Sequence, residues 1–189
     1  MTDTYDIAII GGGLAGASLV AALKGHGLRI AVIEATAFDA KDSPSFDARS
    51  VALSYGSKMI FSALGLWDAM QQKGVTPIER IHISDRKHSG IARLDCREQG
   101  VEALGYVADI RILGQVLGEN MLACKEADYL CPARLQSVNF KTDIAEVRYQ
   151  QDGQDKVLTT KLVIAADGGQ SMVRQQSGIK TWQSQYGQT

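Results

Sequence analysis

The string Gly11-Gly12-Gly13-Leu14-Ala15-Gly16 limits what this chain can fold into more than any other. It follows a short apolar run, Asp6 to Ile10, that reads as a buried parallel strand. It opens a stretch of apolar and small residues, Leu14 to Leu23, with no breaker inside it. Lys24, Gly25, His26 and Gly27 then give the basic, glycine-rich finish of a helix. A second apolar run, Arg29 to Ile33, is closed by Glu34. Strand, glycine turn, helix and strand in so short a span make one βαβ unit with a right-handed crossover.

That context turns a weak motif into a dinucleotide-binding fingerprint. Gly11 allows the tight turn, Gly13 removes a side chain that would block a pyrophosphate, and Gly16 lets helix and strand pack closely. The amides near Leu14 and Ala15 point at the phosphates, helped by the positive end of the helix dipole. Glu34 lies about 20 positions beyond the turn, placed to accept hydrogen bonds from an adenosine ribose. The fingerprint does not separate a nicotinamide dinucleotide from a flavin one. A nicotinamide-only domain would bring its next parallel strand after one more short helix. Here a long stretch with antiparallel character precedes the next apolar run, Leu162 to Ala166, as expected where the fold must also cover a flavin.

Between these runs the pattern predicts a polar loop over Phe38 to Phe46 and a helix over Ser54 to Gln71. That helix carries Met59, Ile60, Ala63, Leu64 and Trp67 on one side, Trp67 as core. Glu79 to Ser84 alternates as a half-buried strand, with Ile91 to Leu94 and Leu104 to Val107 as its antiparallel neighbours. A further helix is predicted over Arg111 to Ala123. Strands follow over Leu135 to Phe140 and Ile144 to Gln150, then an Asp152-Gly153 turn and a returning strand, Lys156 to Thr160. The fold class is α/β.

A second candidate site is Asp167-Gly168, with Ser171 and Arg174 in the pattern D-G-x-x-S-x-x-R, at the end of the run Leu162 to Ala166. Open α/β sheets bind ligands at the carboxyl ends of such strands. The alternative is that Asp167 only caps the next helix.

Composition excludes several classes. Twenty basic against 21 acidic residues, with no long run of one sign, leave no footprint for nucleic acid. The start is polar and acidic and the apolar run after it is short, which argues against a signal peptide or a spanning helix. Cys96, Cys124 and Cys131 lack C-x-x-C spacing and read as free thiols in a reducing cytoplasm. His82 and His88 have no third ligand nearby. No G-x-S-x-G elbow supports a hydrolase.

The two glycine motifs together resemble those of the class A flavoprotein aromatic hydroxylases, the para-hydroxybenzoate hydroxylase-like fold. Phe46-Asp47-Ala48-Arg49-Ser50-Val51-Ala52-Leu53 and His82-Ile83-Ser84-Asp85-Arg86-Lys87-His88-Ser89-Gly90 resemble the ubiquinone-biosynthesis branch of that class, the 2-octaprenyl-6-methoxyphenol hydroxylases above all. The resemblance implies a Rossmann-like FAD-binding domain over residues 1–189, with residues 79–108 beginning an antiparallel substrate-domain sheet. It implies that Gly11, Gly13, Leu14, Ala15, Gly16, Glu34 and the adjoining Ala35 hold the ADP part of FAD. Arg49 would approach the pyrophosphate, a task suited to a guanidinium. Arg111 would lie near the ribityl chain, and Asp167 and Gly168 would serve both FAD and a nicotinamide donor, NAD(P)H. The substrate implied is a prenylated phenol, hydroxylated with O2, while no catalytic acid or base is identified.

The family carries a second Gly-Asp motif and C-terminal helices further along, which do not occur before Thr189. The expectation is therefore an N-terminal portion that does not hydroxylate alone. A polyprenyl substrate also implies a cytoplasmic protein with peripheral contact at the inner-membrane surface, or assembly with other ubiquinone-biosynthesis proteins. The alternatives are a nicotinamide-only dehydrogenase domain and a non-catalytic module that binds nucleotide or partners.

Overall fold

The computed structural model describes residues 3–36, 49–85, 89–182, 184 and 187. The expected polar loop Phe38 to Phe46, part of the first family string and His88 lie outside the described residues. The chain divides into two compact units, residues 1–37 with 121–189, and residues 38–120.

The first unit is built on a six-stranded sheet in the order β8-β2-β1-β11-β10-β9. Its strands are β1 (Asp3–Ile10), β2 (Ile30–Ile33), β8 (Ala127–Leu130), β9 (Ala133–Phe140), β10 (Ala145–Gln151) and β11 (Gln154–Ala165). Strands β8, β2, β1 and β11 run parallel, while β10 and β9 are added antiparallel. Helix α1 (Leu14–Leu23) follows β1 as the glycine string predicts. Strand β1 is buried on both faces, which is why its sequence does not alternate. Ala8 and Ile10 join a core with Ala31, Ile33, Leu135, Val147, Leu158 and Val173. Ile7 and Ile9, on the opposite face, are also buried, and the Ile9 side chain lies close under Gly16 of α1. Each such side chain stabilises the fold by about 1.5–3 kcal/mol.

Two expectations are corrected here. Lys156 to Thr160 and Leu162 to Ala166 are one long strand, not two. Strand β11 pairs antiparallel with β10 through its first half and parallel with β1 from Leu158 to Ala165. Lys161 looks like a break, yet its ammonium reaches the Asp6 carboxylate at 2.8 Å. The third parallel strand also comes earlier than expected, as β8. Its run is only four residues long and is interrupted by the exposed Asp128, which accepts a hydrogen bond from the Tyr5 hydroxyl at 2.8 Å. The turn at Asp152-Gly153 forms as expected, both residues having positive φ (53° and 73°).

The second unit contains β3 (Ser50–Ser54), α2 (Tyr55–Ala63), α3 (Trp67–Gly74), β4 (Val75–Ile78), β5 (Arg80–Ser84), β6 (Ile91–Asp95), β7 (Gly105–Asp109) and most of α4 (Ile110–Leu122). The single helix expected over Ser54 to Gln71 is two helices, broken at Gly65 with φ +70°. Met59 and Ile60 are exposed rather than core. Trp67 is buried, edge-on to Tyr106 at 4.7 Å between ring centroids. Strand β6 pairs with β5 as expected, but β7 does not join them. It lies between β3 and β4 in a separate sheet.

Candidate functional site, a crevice at the carboxyl ends of the parallel strands

Three glycines of the first turn have three distinct local reasons to be glycine. Gly11 has φ +103°, and a Cβ there would stand 2.3 Å from the Ala166 carbonyl oxygen at the end of β11. At Gly16 a Cβ would stand 1.9 Å from the Gly11 carbonyl oxygen, so helix and turn touch backbone to backbone. At Gly13 a Cβ would meet nothing within 4 Å. The fold needs the first two to be bare. The third faces open space, as a residue beneath a ligand should.

Gly13 is also the N-cap of α1, and no side chain caps that helix. The amides at Leu14 and Ala15 therefore head a helix whose first turn no capping side chain occupies. Glu34 is fixed beside this turn. One carboxylate oxygen accepts from the Gly12 amide at 2.7 Å and the other from the Thr36 amide at 2.8 Å. Its backbone is held as well, since Glu34 N–H donates to the Leu130 carbonyl (3.0 Å) and its carbonyl accepts from Ala133 N–H (2.7 Å). A carboxylate accepts about four hydrogen bonds, so two donors leave capacity for ribose hydroxyls.

The alternative considered for Asp167, holding the start of the next helix, is seen in the structure. Its Oδ2 accepts from the amides of Met172 (2.7 Å) and Val173 (3.3 Å), tying down the short helix α5 (Met172–Gln176). Its Oδ1 is buried and has no hydrogen-bond partner among the described residues. Ser171 is the N-cap of α5, accepting from the Arg174 amide, and the Arg174 guanidinium donates to the Gly169 carbonyl. Gly168 has φ +77°, which fits glycine in this turn.

Together these segments enclose a crevice of about 550 Å³, lined by Gly11, Gly13, Glu34, Ala35 and Asp167 among others. Sequence reasoning missed one wall. Between β8 and β9 the chain crosses the end of β2 through the Ala133–Glu34 hydrogen bond, bringing Ala133, Arg134 and Leu135 to the crevice. Gln170 and Met172 line it too. Tyr129 on β8 lies behind the turn, its ring edge 3.1 Å from where a Gly12 Cβ would stand. Its hydroxyl is buried, and burial, then the Cys131 thiol beside it and the Glu34 charge, push the phenol well up.

Arg49 and Arg111 both fall in the second unit. The Arg49 carbonyl accepts from the Ile110 amide at 3.1 Å, so the structure brings the two arginines to one place. Arg111 donates to the Asp109 carboxylate at 3.1 Å. Among the described residues no cluster of His, Cys, Asp and Glu is fit to hold a metal, and His82 is exposed on β5. No described helix is long and apolar enough to cross a membrane.

The family described as "FAD binding domain" matches residues 4–188. The chain belongs to that family. An uncharacterized protein of Synechocystis, slr1300, is 35% identical over 97% of this FAD-binding domain and 45% of its own length. The 3-demethoxyubiquinol 3-hydroxylase of Escherichia coli is 32% identical, with 97% of this chain and 46% of that protein covered. The ubiquinone hydroxylase UbiM of Neisseria meningitidis is 29% identical, over 97% of this chain and 40% of that one. The last two names agree with the resemblance to the ubiquinone-biosynthesis branch. The domain thus spans somewhat under half the length of the curated relatives it matches. Among solved structures, p-nitrophenol 4-monooxygenase PnpA of Pseudomonas putida superposes with a TM-score of 0.78 at 20% identity, covering 94% of this chain and 44% of that one. The monooxygenase PieE, solved with FAD and substrate, gives 0.76 at 20%, covering 95% and 33%. At such identity the structures speak to the fold alone.

Proposed function

We propose that this domain holds the ADP part of FAD in a flavin monooxygenase that hydroxylates a prenylated phenol in ubiquinone biosynthesis. The observation that supports it best is the open space over Gly13 at the uncapped start of α1, flanked by a Glu34 carboxylate with acceptor capacity to spare. FAD fits this donor set: a pyrophosphate suits the helix-terminal amides and a ribose suits Glu34. When bound, the flavin supplies the redox and oxygen chemistry, with NAD(P)H as electron donor and O2 as co-substrate.

The chain's own residues bind and orient. Leu14 and Ala15 offer amides, Glu34 and Ala35 border the ribose, and Asp167 Oδ1 offers a buried acceptor to a ligand hydroxyl or N–H. Gly168 lets that turn form. Arg49 and Arg111 serve pyrophosphate and ribityl in this reading. The substrate's polyprenyl tail favours a cytoplasmic protein working at the inner-membrane surface, or with other ubiquinone-biosynthesis proteins.

The test is a calorimetric titration of the chain with FAD, ADP and NAD(P)H. Saturable binding of FAD and ADP supports the reading. Tight NAD(P)H binding with no FAD uptake would replace it with a nicotinamide-dependent domain, and no nucleotide binding would overturn it. Offering a prenylated phenol, NAD(P)H and O2 to the FAD-loaded protein, and weighing the product by mass spectrometry, tests the substrate.

A further inference from the structure

Arg134 stands in the wall of the crevice that the sequence did not announce. It follows Ala133, whose amide is bonded to the Glu34 carbonyl, so its backbone stands beside Glu34. Its side chain is exposed and makes no hydrogen bond or ion pair among the described residues. This differs from Arg29, which is engaged by Asp3, Asp128 and the Tyr5 ring. The carboxylates nearby are already committed, Glu34 to two amides and Asp167 Oδ2 to two more. Ala35, Leu135 and Met172 add apolar lining to the same crevice. A flat cation and apolar side chains in one crevice with the carboxylate that marks the ribose match the flat face of a purine.

We infer that Arg134 is an adenine-binding residue, its guanidinium lying against the base of the adenosine group. The inference rests on the ADP reading of this crevice. A guanidinium is better suited to this than an ammonium, because it is planar, weakly hydrated and stacks on π-systems. The Glu34 charge beside it disfavours the competing use of the same cation, capture of a ribose 2′-phosphate.

The experiment compares the 189-residue chain with Arg134→Met and Arg134→Lys, titrating ADP, 2′-phospho-ADP and inorganic pyrophosphate. Arg134 is exposed, so both variants should melt with the wild type. The inference predicts that Arg134→Met weakens ADP about fivefold, that Lys restores little of it, and that pyrophosphate is unaffected. Unchanged ADP affinity in Arg134→Met overturns it. So does full rescue by Lys with a parallel loss for pyrophosphate, which makes Arg134 a phosphate ligand. Wild-type preference for 2′-phospho-ADP overturns it as well. Failure of the wild type to bind ADP at all would overturn the underlying reading, and this inference with it.

Discussion

Replacing Gly13 by alanine should separate the fold from the ligand site. Gly13 has φ −67° and ψ −166°, which any L-residue adopts, and its added methyl meets nothing within 4 Å. Loss of backbone freedom in the unfolded chain favours alanine by about 0.4–1 kcal/mol. Alanine is a poorer N-cap than glycine by a similar amount, so the two effects nearly offset. The melting temperature should stay within about 4 °C of wild type, given about 2–4 °C per kcal/mol at this size. The ligand meets a different situation, because the methyl occupies the approach to the α1 amides. One charged hydrogen bond lost there costs about 1.5–3 kcal/mol, which is about ten- to 150-fold in ADP affinity. Gly11→Ala and Gly16→Ala are the controls. Their methyls would stand 2.3 Å and 1.9 Å from backbone oxygens, so both should lower the melting temperature sharply before binding can be asked about. Thermal melts and ADP calorimetry on the three variants decide the matter. A Gly13→Ala chain that melts normally and binds ADP within twofold of wild type would refute the assignment of that space.

Glu34→Ala should weaken FAD by about 1.5–3 kcal/mol and also lower the melting temperature, because the Gly12 and Thr36 amides lose their acceptor. Unchanged FAD affinity with the fold intact would take Glu34 out of the site. Arg49→Lys should not behave conservatively, since a fork becomes a point charge; equal FAD affinity at low and high salt would count against a bidentate contact. Burial raises the phenols of Tyr5, Tyr129 and Tyr149, and Tyr106 to about 12, the last with Glu102 as second cause. A raised folded value means stability is intact below pH 10 and declines as pH rises beyond it, so alkaline unfolding should coincide with late tyrosinate absorbance. Early ionisation of all six tyrosines in a folded chain would contradict this.

The turn was legible in the sequence because a glycine's reason is local. φ at Gly11 and backbone approach at Gly16 follow from the motif's place between strand and helix. The buried strands β1 and β2 were legible from their unbroken apolar runs, and the Asp152-Gly153 hairpin from its positive-φ pair. What was hidden depends on contacts between distant residues. Strand β8 is short and carries the exposed Asp128, whose partners Tyr5 and Arg29 lie far away in sequence. Strand β11 reads as two because Lys161 finds Asp6 far away in sequence. The β7 strand has the right pattern, but alternation does not name a partner, and β3 and β4 took it. Likewise nothing in Ala133-Arg134-Leu135 says that this segment crosses the end of β2 and walls the crevice. That is a fact of topology.

The most direct test of the account is to map ADP onto the isotope-labelled chain by amide NMR. The predicted result is saturable shifts at Gly12, Gly13, Leu14, Ala15, Glu34 and Arg134, with the largest at the start of α1. Saturable binding that leaves those amides unmoved, or shifts confined to residues 49–120, would contradict the claim that this crevice is the dinucleotide site.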